Sequence, residues 1–264
     1  MNIACIYRES RFSPNMADAD AAILDAVAQR LAAQGHVVTH DVDHAQMVFS
    51  MARSVEKLSY LRQAEGRGVR VINSTQAIDN CNRTRFTQLF IQHHIPMPPS
   101  IVCTDIPTIS LNYPLWIKKG EGYSERPDDV TYAATPDTAT RAIQQMMERG
   151  VKSVVVNEHA VGDLVKFYGV RGTNFFRWYY AADGHSKFGL ESINGKQQGF
   201  SFDHQLMMQT CEQAAAVLDL DIYGGDCVIS SDGTFRIIDF NDWPSFSPFR
   251  DDAADAIAKL VVNQ

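Results

Sequence analysis

The stretch IYGGDCVISSDGTFRIIDFNDWPSF, residues 222–246, constrains this chain more than any other. Two apolar runs flank Ser231-Asp232-Gly233, a short polar turn carrying the glycine that hairpins favour. The pattern predicts two antiparallel strands with Val228, Ile229, Ile237, Ile238, Phe240 and Trp243 buried around them. Such a hairpin has little room for acids, yet Asp226 sits on its first strand, Asp239 on its second, and Asn241 two residues beyond. Residues two apart on a strand share a face, so Asp239 and Asn241 project together and the hairpin can set Asp226 opposite them. Two carboxylates and an amide oxygen are hard donors of the kind magnesium takes while keeping waters and substrate phosphates in its other positions. The competing reading, an exposed edge with solvated acids, fits the apolar flanks less well.

Upstream of the hairpin the pattern changes once. Residues 3–7 form a short apolar run, and Ala21, Ile23, Leu24, Val27 and Leu31 then recur at helical spacing up to Gly35, a C-cap residue. Short apolar runs at 37–39, 47–50 and 69–72 read as strands, with an amphipathic helix over 55–64 between the last two. Strands alternating with helices predict a parallel α/β lobe over residues 1–74. Neither GxGxxG nor GxxxxGK[ST] occurs, which weakens the dinucleotide-dehydrogenase and P-loop readings. In the second domain, residues 75–264, strands are expected at 100–103, 115–118, 130–133, 151–156, 165–168 and 174–180, and helices at 136–147, 202–218 and 252–262. This half is antiparallel in character with flanking helices.

Composition excludes several classes. The net charge of −7 argues against a general nucleic-acid or anionic-membrane binder. Five scattered cysteines with no CxxC spacing indicate neither a disulfide framework nor a zinc knuckle, and fit a reducing compartment. The N-terminal apolar run is too short for a signal peptide, and no stretch of about 18 apolar residues occurs. A cytoplasmic protein is expected, with a homo-oligomer left open.

Four stretches then fall in a familiar order: VINSTQAIDNCNRTRFTQLFIQHHIPMP, YPLWIKKGEG, VVVNEHAVGDLVKFYGV and GGDCVISSDGTFRIIDFNDWP. Together they resemble the ATP-grasp superfamily, in particular its RimK-like carboxylate–amine ligase branch, over about residues 69–246. The resemblance implies an α/β fold in which a Rossmann-like parallel lobe precedes two antiparallel-sheet lobes that hold ATP between them. The small nucleotide lobe would cover about 100–157 and the metal-binding lobe about 158–264. It implies that Arg83, Lys118 and Lys166 meet the ATP phosphates, and that Glu158 and His159 offer backbone groups to the adenine edge. Asp163 would accept from the ribose hydroxyls, and Asp226, Asp239 and Asn241 would hold one or two Mg2+ ions, or Mn2+. Lys166, Arg171 and Arg177 would be the catalytic cations, with Arg250 a further candidate. The chain departs from the family pattern in four places. Arg83 stands where lysine is usual, and Asp239 where glutamate is usual. The flap GEGYSERPDD is poor in glycine, and the motif ends in Trp243-Pro244-Ser245-Phe246 rather than proline-glycine.

The implied activity is ATP-dependent condensation of an acid with an amine, small molecules or peptides, through an acyl phosphate. That chemistry needs positioning and cations rather than a protein nucleophile, and no Ser/His/Asp or Cys/His constellation is evident. A second reading is a small-molecule kinase, because VGDLVKFYGV and IIDFNDWPSF also resemble inositol trisphosphate kinases. A third is a non-catalytic nucleotide-binding module. The loop after the first strand places Arg8, Arg11 and Ser13 where open α/β sheets put ligands, either to meet an acidic group or to cap the helix that follows.

Overall fold

The computed structural model describes residues 1–13, 16–122, 124, 126–181 and 191–261, the side chains of residues 191 and 192 excepted. Strands β1 (Asn2–Ile6), β2 (Val37–Thr39), β3 (Met47–Ser50) and β4 (Arg70–Ile72) pair in parallel in the order β2-β1-β3-β4. A parallel sheet buries both faces, which is why these segments read as unbroken apolar runs. Ile3, Cys5, Met47 and Phe49 pack on Ile23, Leu24 and Val27 of helix α1 (Ala17–Ala33). Ala4, Val48 and Val71 pack on Leu58 and Leu61 of α2 (Val55–Gly66). Gly35 lies just past the end of α1 at φ +84°, the left-handed position a helix stop favours.

Helices α3 (Thr75–Asn80) and α4 (Arg83–Gln92) start on the side-chain caps of Ser74 and Asn82 and lead into an antiparallel sheet. Its strands β5 (Ser100–Cys103), β6 (Leu115–Lys119), β7 (Val130–Ala133) and β8 (Val154–Glu158) run in the order β5-β8-β6-β7. Helix α5 (Pro136–Glu148) covers one face, packing Ala139, Ile143 and Met146 on Leu115, Ile117, Val154 and Val156. The opposite face carries Trp116 and Lys118. β8 begins three residues later than expected because Val151 packs into the cluster beneath α5 instead of extending the ladder.

A second antiparallel sheet, β9 (Asp163–Val170), β10 (Phe176–Tyr180), β11 (Ile222–Ile229) and β12 (Phe235–Asp242), has the order β10-β9-β11-β12. Helix α6 (His204–Leu218) backs it, with Met207, Cys211, Ala214 and Ala215 against Val165, Phe167, Cys227 and Ile237. The β11–β12 hairpin turns where the sequence predicts, with Gly233 at φ +81° and its N–H donated to Ser230 O at 2.9 Å. Helix α7 (Arg250–Ala258) returns Ala253, Ala254 and Ile257 to the core formed by β1, β3 and α1. It starts two residues earlier than expected and passes into a 3-10 turn ending at Val261; residue 262 of the expected helix lies outside the described residues. One parallel and two antiparallel sheets, as expected, make up an α/β architecture. Among the described residues, no helix is long and apolar enough to cross a membrane.

Candidate active site

The open faces of the two antiparallel sheets enclose a cavity of about 360 Å3. Its floor depends on a β-bulge. Reading from the turn, Ile229 pairs with Phe235, Val228 with Arg236 and Cys227 with Ile237, but the next pair is Asp226 with Asp239, so Ile238 is the extra residue. Regular alternation from buried Ile237 would send Asp239 into the core. The bulge turns both Ile238 and Asp239 toward the cavity, the re-aiming that bulges provide. β9 sets Lys166 directly opposite Asp226, so Lys166, Asp226 and Asp239 form one row across three strands. Like charges directly opposite are unfavourable. Lys166 Nζ offsets Asp226 Oδ1 at 2.9 Å, and Arg83 Nε lies 3.9 Å from Asp239 Oδ1.

Asn241 lies opposite Gly224 on the same face. A Cβ on Gly224 would stand 2.8 Å from Pro244 Cγ and 2.9 Å from Phe167 O, so only glycine lets the segment after β12 close there. Two facing carboxylates with an amide oxygen alongside are a donor set that suits a hard divalent cation. Among the described residues no group of three or more His, Cys, Asp or Glu gathers as a metal cluster, so the candidate donors remain these three.

From the facing sheet, Lys118 Nζ donates to Ile238 O at 2.8 Å. Burial pushes the Lys118 pKa down to about 8, against the pull of Asp239 and with the push of Arg83. Arg83 opens α4 and donates to Ser124 Oγ at 2.8 Å and Lys119 O at 3.4 Å, tying the helix to the segment after β6. Of the expected flap, Gly122 and Ser124 line the cavity, while Tyr123 and Glu125 lie outside the described residues.

Several expected site residues are engaged with partners elsewhere in the protein. The N–H groups of Glu158 and His159 donate to Pro99 O and Pro114 O, both at 2.9 Å, so of their backbone groups only the carbonyls are left for an adenine edge. Glu158 Oε1 accepts from Asn112 N and Nδ2. His159 Nδ1 accepts from Trp116 Nε1 at 3.1 Å, and burial lowers the ring's pKa. Asp163 is buried rather than presented to a ribose: its two oxygens accept the N–H groups of Gln198 at 2.7 Å and Phe200 at 2.8 Å. Arg171 pairs with Asp221 at 2.9 Å beyond the end of β9, and Arg177 with Asp252 of α7 at 3.1 Å; neither lines the cavity. Lys166 is therefore the one expected catalytic cation that faces the acids of the row.

A second cavity of about 240 Å3 shares Arg53, Lys166, Asp226, Asn241 and Asp242 with the first. Its outer wall comes from the parallel lobe. Arg8 Nη1 pairs with Asp20 at 2.9 Å and Nη2 donates to Trp243 O at 2.7 Å, while Ser13 Oγ donates to Asp20 at 2.6 Å. Arg8 and Ser13 thus face the cavity, whereas the Arg11 guanidinium sits over the Phe12 ring. None of the three caps α1, whose N-cap position is Met16 without a side-chain bond. Residues 14 and 15 of this loop lie outside the described residues. Arg53, which sequence reasoning missed, bonds Asp242 Oδ1 at 2.7 Å. Its signal was topological: Arg8 and Arg53 follow β1 and β3, adjacent parallel strands whose carboxyl ends are where such sheets hold ligands.

No sequence-family model and no curated protein matches the chain. Solved structures do. The D-alanine–D-alanine ligase of Bacillus anthracis, solved with ATP, superposes with a TM-score of 0.69 over 100% of this chain and 98% of its own, at 10% identity. A RimK domain ATP-grasp protein of Sphaerobacter thermophilus gives 0.69 over 99% and 100%, at 15% identity. The VanG D-Ala:D-Ser ligase of Enterococcus faecalis gives 0.71 over 99% and 98%, at 12% identity. At such identities the likeness concerns architecture. On its three sheets and this end-to-end correspondence, the chain has the ATP-grasp fold.

Proposed function

We propose that the protein is an ATP- and magnesium-dependent ligase that joins a carboxylate to an amine through an acyl phosphate, releasing ADP. The observation that carries this reading is the row Lys166–Asp226–Asp239. It floors the larger cavity, and its Lys166 and Asp226 also border the smaller one. A co-substrate in the smaller cavity would therefore meet the terminal phosphate of a nucleotide in the larger.

Lys118 and Arg83 are fixed cations at the phosphate end, and a partly dry cleft makes each more effective against phosphate charge than it would be in water. Asp226, Asp239 and Asn241 would hold magnesium, which when bound neutralises charge on the phosphates. Lys166 keeps Asp226 oriented and leaves a cation beside both cavities. In-line positioning is the remaining requirement, supplied by two rigid sheets whose facing side chains are Lys118 and the row.

The smaller cavity favours this reading over the kinase. Its cations Arg8, Arg53 and Lys166 are matched by Asp20, Asp242 and Asp226, so a polyphosphate would meet as many carboxylates as cations. The neighbours named as D-alanine–D-alanine and D-Ala:D-Ser ligases make amino acids and short peptides the first substrates to try. ADP release measured across amino acids, short peptides and inositol phosphates tests the proposal. Release that requires both an acid and an amine, and magnesium, is expected. Release driven by an inositol phosphate alone would replace the ligase with a kinase.

A further inference from the structure

The two cavities meet at a wall formed by Arg53, Lys166, Asp226, Asn241 and Asp242, the residues that line both. A group that passes from a nucleotide in the larger cavity to an acceptor in the smaller must cross at this wall. Among the described residues, Arg53 is the one arginine that borders both cavities. Arg83 lines the larger and Arg8 the smaller, while Arg171 and Arg177 pair with Asp221 and Asp252 away from either.

Arg53 belongs to the parallel lobe. It follows β3 and stands directly before Ser54, the N-cap of α2. The N–H groups of Arg53 and Ser54 both donate to the Glu9 carboxylate, at 3.1 and 3.2 Å, and Ser54 Oγ accepts from Lys57 N at 3.3 Å. The backbone at Arg53 is thereby fixed by the exit of β1 on one side and the start of α2 on the other. At the far end of the side chain, Nη2 donates to Asp242 Oδ1 at 2.7 Å and to Asp242 O at 3.1 Å. The Arg53 side chain is 8% exposed, so its charge stands beside the shared wall in a nearly dry setting. A guanidinium is a planar fork of five N–H donors that matches the oxygens of a phosphate. Asp242 takes one corner of that fork and so sets its plane.

We propose that Arg53 is a catalytic residue of phosphoryl transfer, the cation that the parallel lobe supplies to the group in flight; the proposal rests on the nucleotide reading of the larger cavity and the acceptor reading of the smaller. In that step a carboxylate oxygen of the acceptor bonds to the γ-phosphorus. The bond from that phosphorus to the bridging oxygen breaks, and its electron pair leaves with ADP. Charge spreads over the three equatorial oxygens of the transferred group. A cation already fixed at the crossing point stabilises them without reorganising during the step. The contact that docks the parallel lobe on the end of β12 is then also the contact that sets the catalytic guanidinium.

Fluoroaluminate beside MgADP mimics the phosphoryl group midway between its two oxygens, whichever acceptor the protein uses. Calorimetric titration of MgADP with and without fluoroaluminate tests the proposal. Wild-type protein is expected to bind MgADP about 100-fold or more tightly when fluoroaluminate is present. Arg53→Met with Asp242→Asn removes both charges together, so neither is left buried alone. This double variant should bind MgADP alone as wild type does, while its gain from fluoroaluminate falls to about tenfold or less. Arg53→Lys keeps the charge without the fork and should fall between the two. A double variant that keeps the full gain overturns the proposal, because Arg53 then merely fastens the lobes. Wild-type protein that binds MgADP and gains nothing from fluoroaluminate overturns it as well. In both cases the nucleotide reading stands; if MgADP does not bind at all, that reading falls and takes the role of Arg53 with it.

Discussion

Replacing Lys118 with methionine separates what the cleft does for ligands from what it costs the fold. Burial takes the Lys118 pKa from 10.5 to about 8, a fall that corresponds to about 3 kcal/mol of charge burial at neutral pH. The side chain lines an open cavity whose water screens part of that cost, so about 2 kcal/mol is the expected relief in the variant. Against it stands the loss of the 2.8 Å bond to Ile238 O, worth about 1 kcal/mol. Lys118→Met should therefore be as stable as wild type at pH 7, or more stable by about 1 kcal/mol. Its affinity for MgATP should fall by roughly 10- to 100-fold, the loss of a charge-assisted contact to phosphate.

The pH dependence carries a signature. Folded protein releases the Lys118 proton near pH 8, and the unfolded chain near 10.5. Between those values the unfolded state binds more protons, so stability rises with pH. Wild type should gain about 2 kcal/mol relative to Lys118→Met from pH 8 to 10.5, and its MgATP affinity should weaken as pH rises past 8. Urea unfolding at pH 7, 9 and 10.5, with calorimetric titration of MgATP, measures both. A variant that binds MgATP normally but loses more than about 1 kcal/mol at pH 7 would refute the reasoning, because Lys118 would then be a structural group.

Three further outcomes follow from the geometry. Asp239→Asn removes one of two facing carboxylates, so the unfolding midpoint should hold or rise while magnesium-dependent ADP release drops by about two orders of magnitude; near-normal turnover would end the metal reading of the hairpin. Arg53→Ala leaves the Asp242 carboxylate, 2% exposed, without the guanidinium partner the structure gives it. A cost of about 3 kcal/mol in urea unfolding is expected, largely recovered by Arg53→Met with Asp242→Asn; a cost under about 1 kcal/mol would mean that the pair does not clamp the lobes. Arg177→Gln alters an ion pair 40% exposed on the arginine side, so stability should change by less than about 1 kcal/mol and turnover by less than about twofold; a tenfold loss of turnover would return Arg177 to the reaction.

Local pattern alone made most of the architecture legible. The parallel lobe follows from apolar runs separated by amphipathic helices, because strands buried on both faces leave no alternation to read. The hairpin at 222–246 follows from two apolar strands around Gly233, and Asp226, Asp239 and Asn241 were visible as acids and an amide in a place acids avoid. Lys118, Lys166 and Arg83 were legible from their motifs, and all three line the larger cavity.

Pairing between distant segments decided the rest. The bulge at Ile238 is a property of two strands together, and it alone turns Asp239 out of the core to face Asp226. Arg171, Arg177 and Asp163 look like site residues in one dimension, but Asp221, Asp252 and the backbone at 198–200 claim them in three. Arg53 and Asp242 are 189 residues apart and carry no motif, yet they meet where the parallel lobe touches the end of β12. Residue type and period are written along the chain and set which elements form. A side chain's partner depends on which strand lies beside which, so the sequence determined the fold and the proposed metal donors, while the tertiary structure decided which cations face the cleft and which merely hold it together.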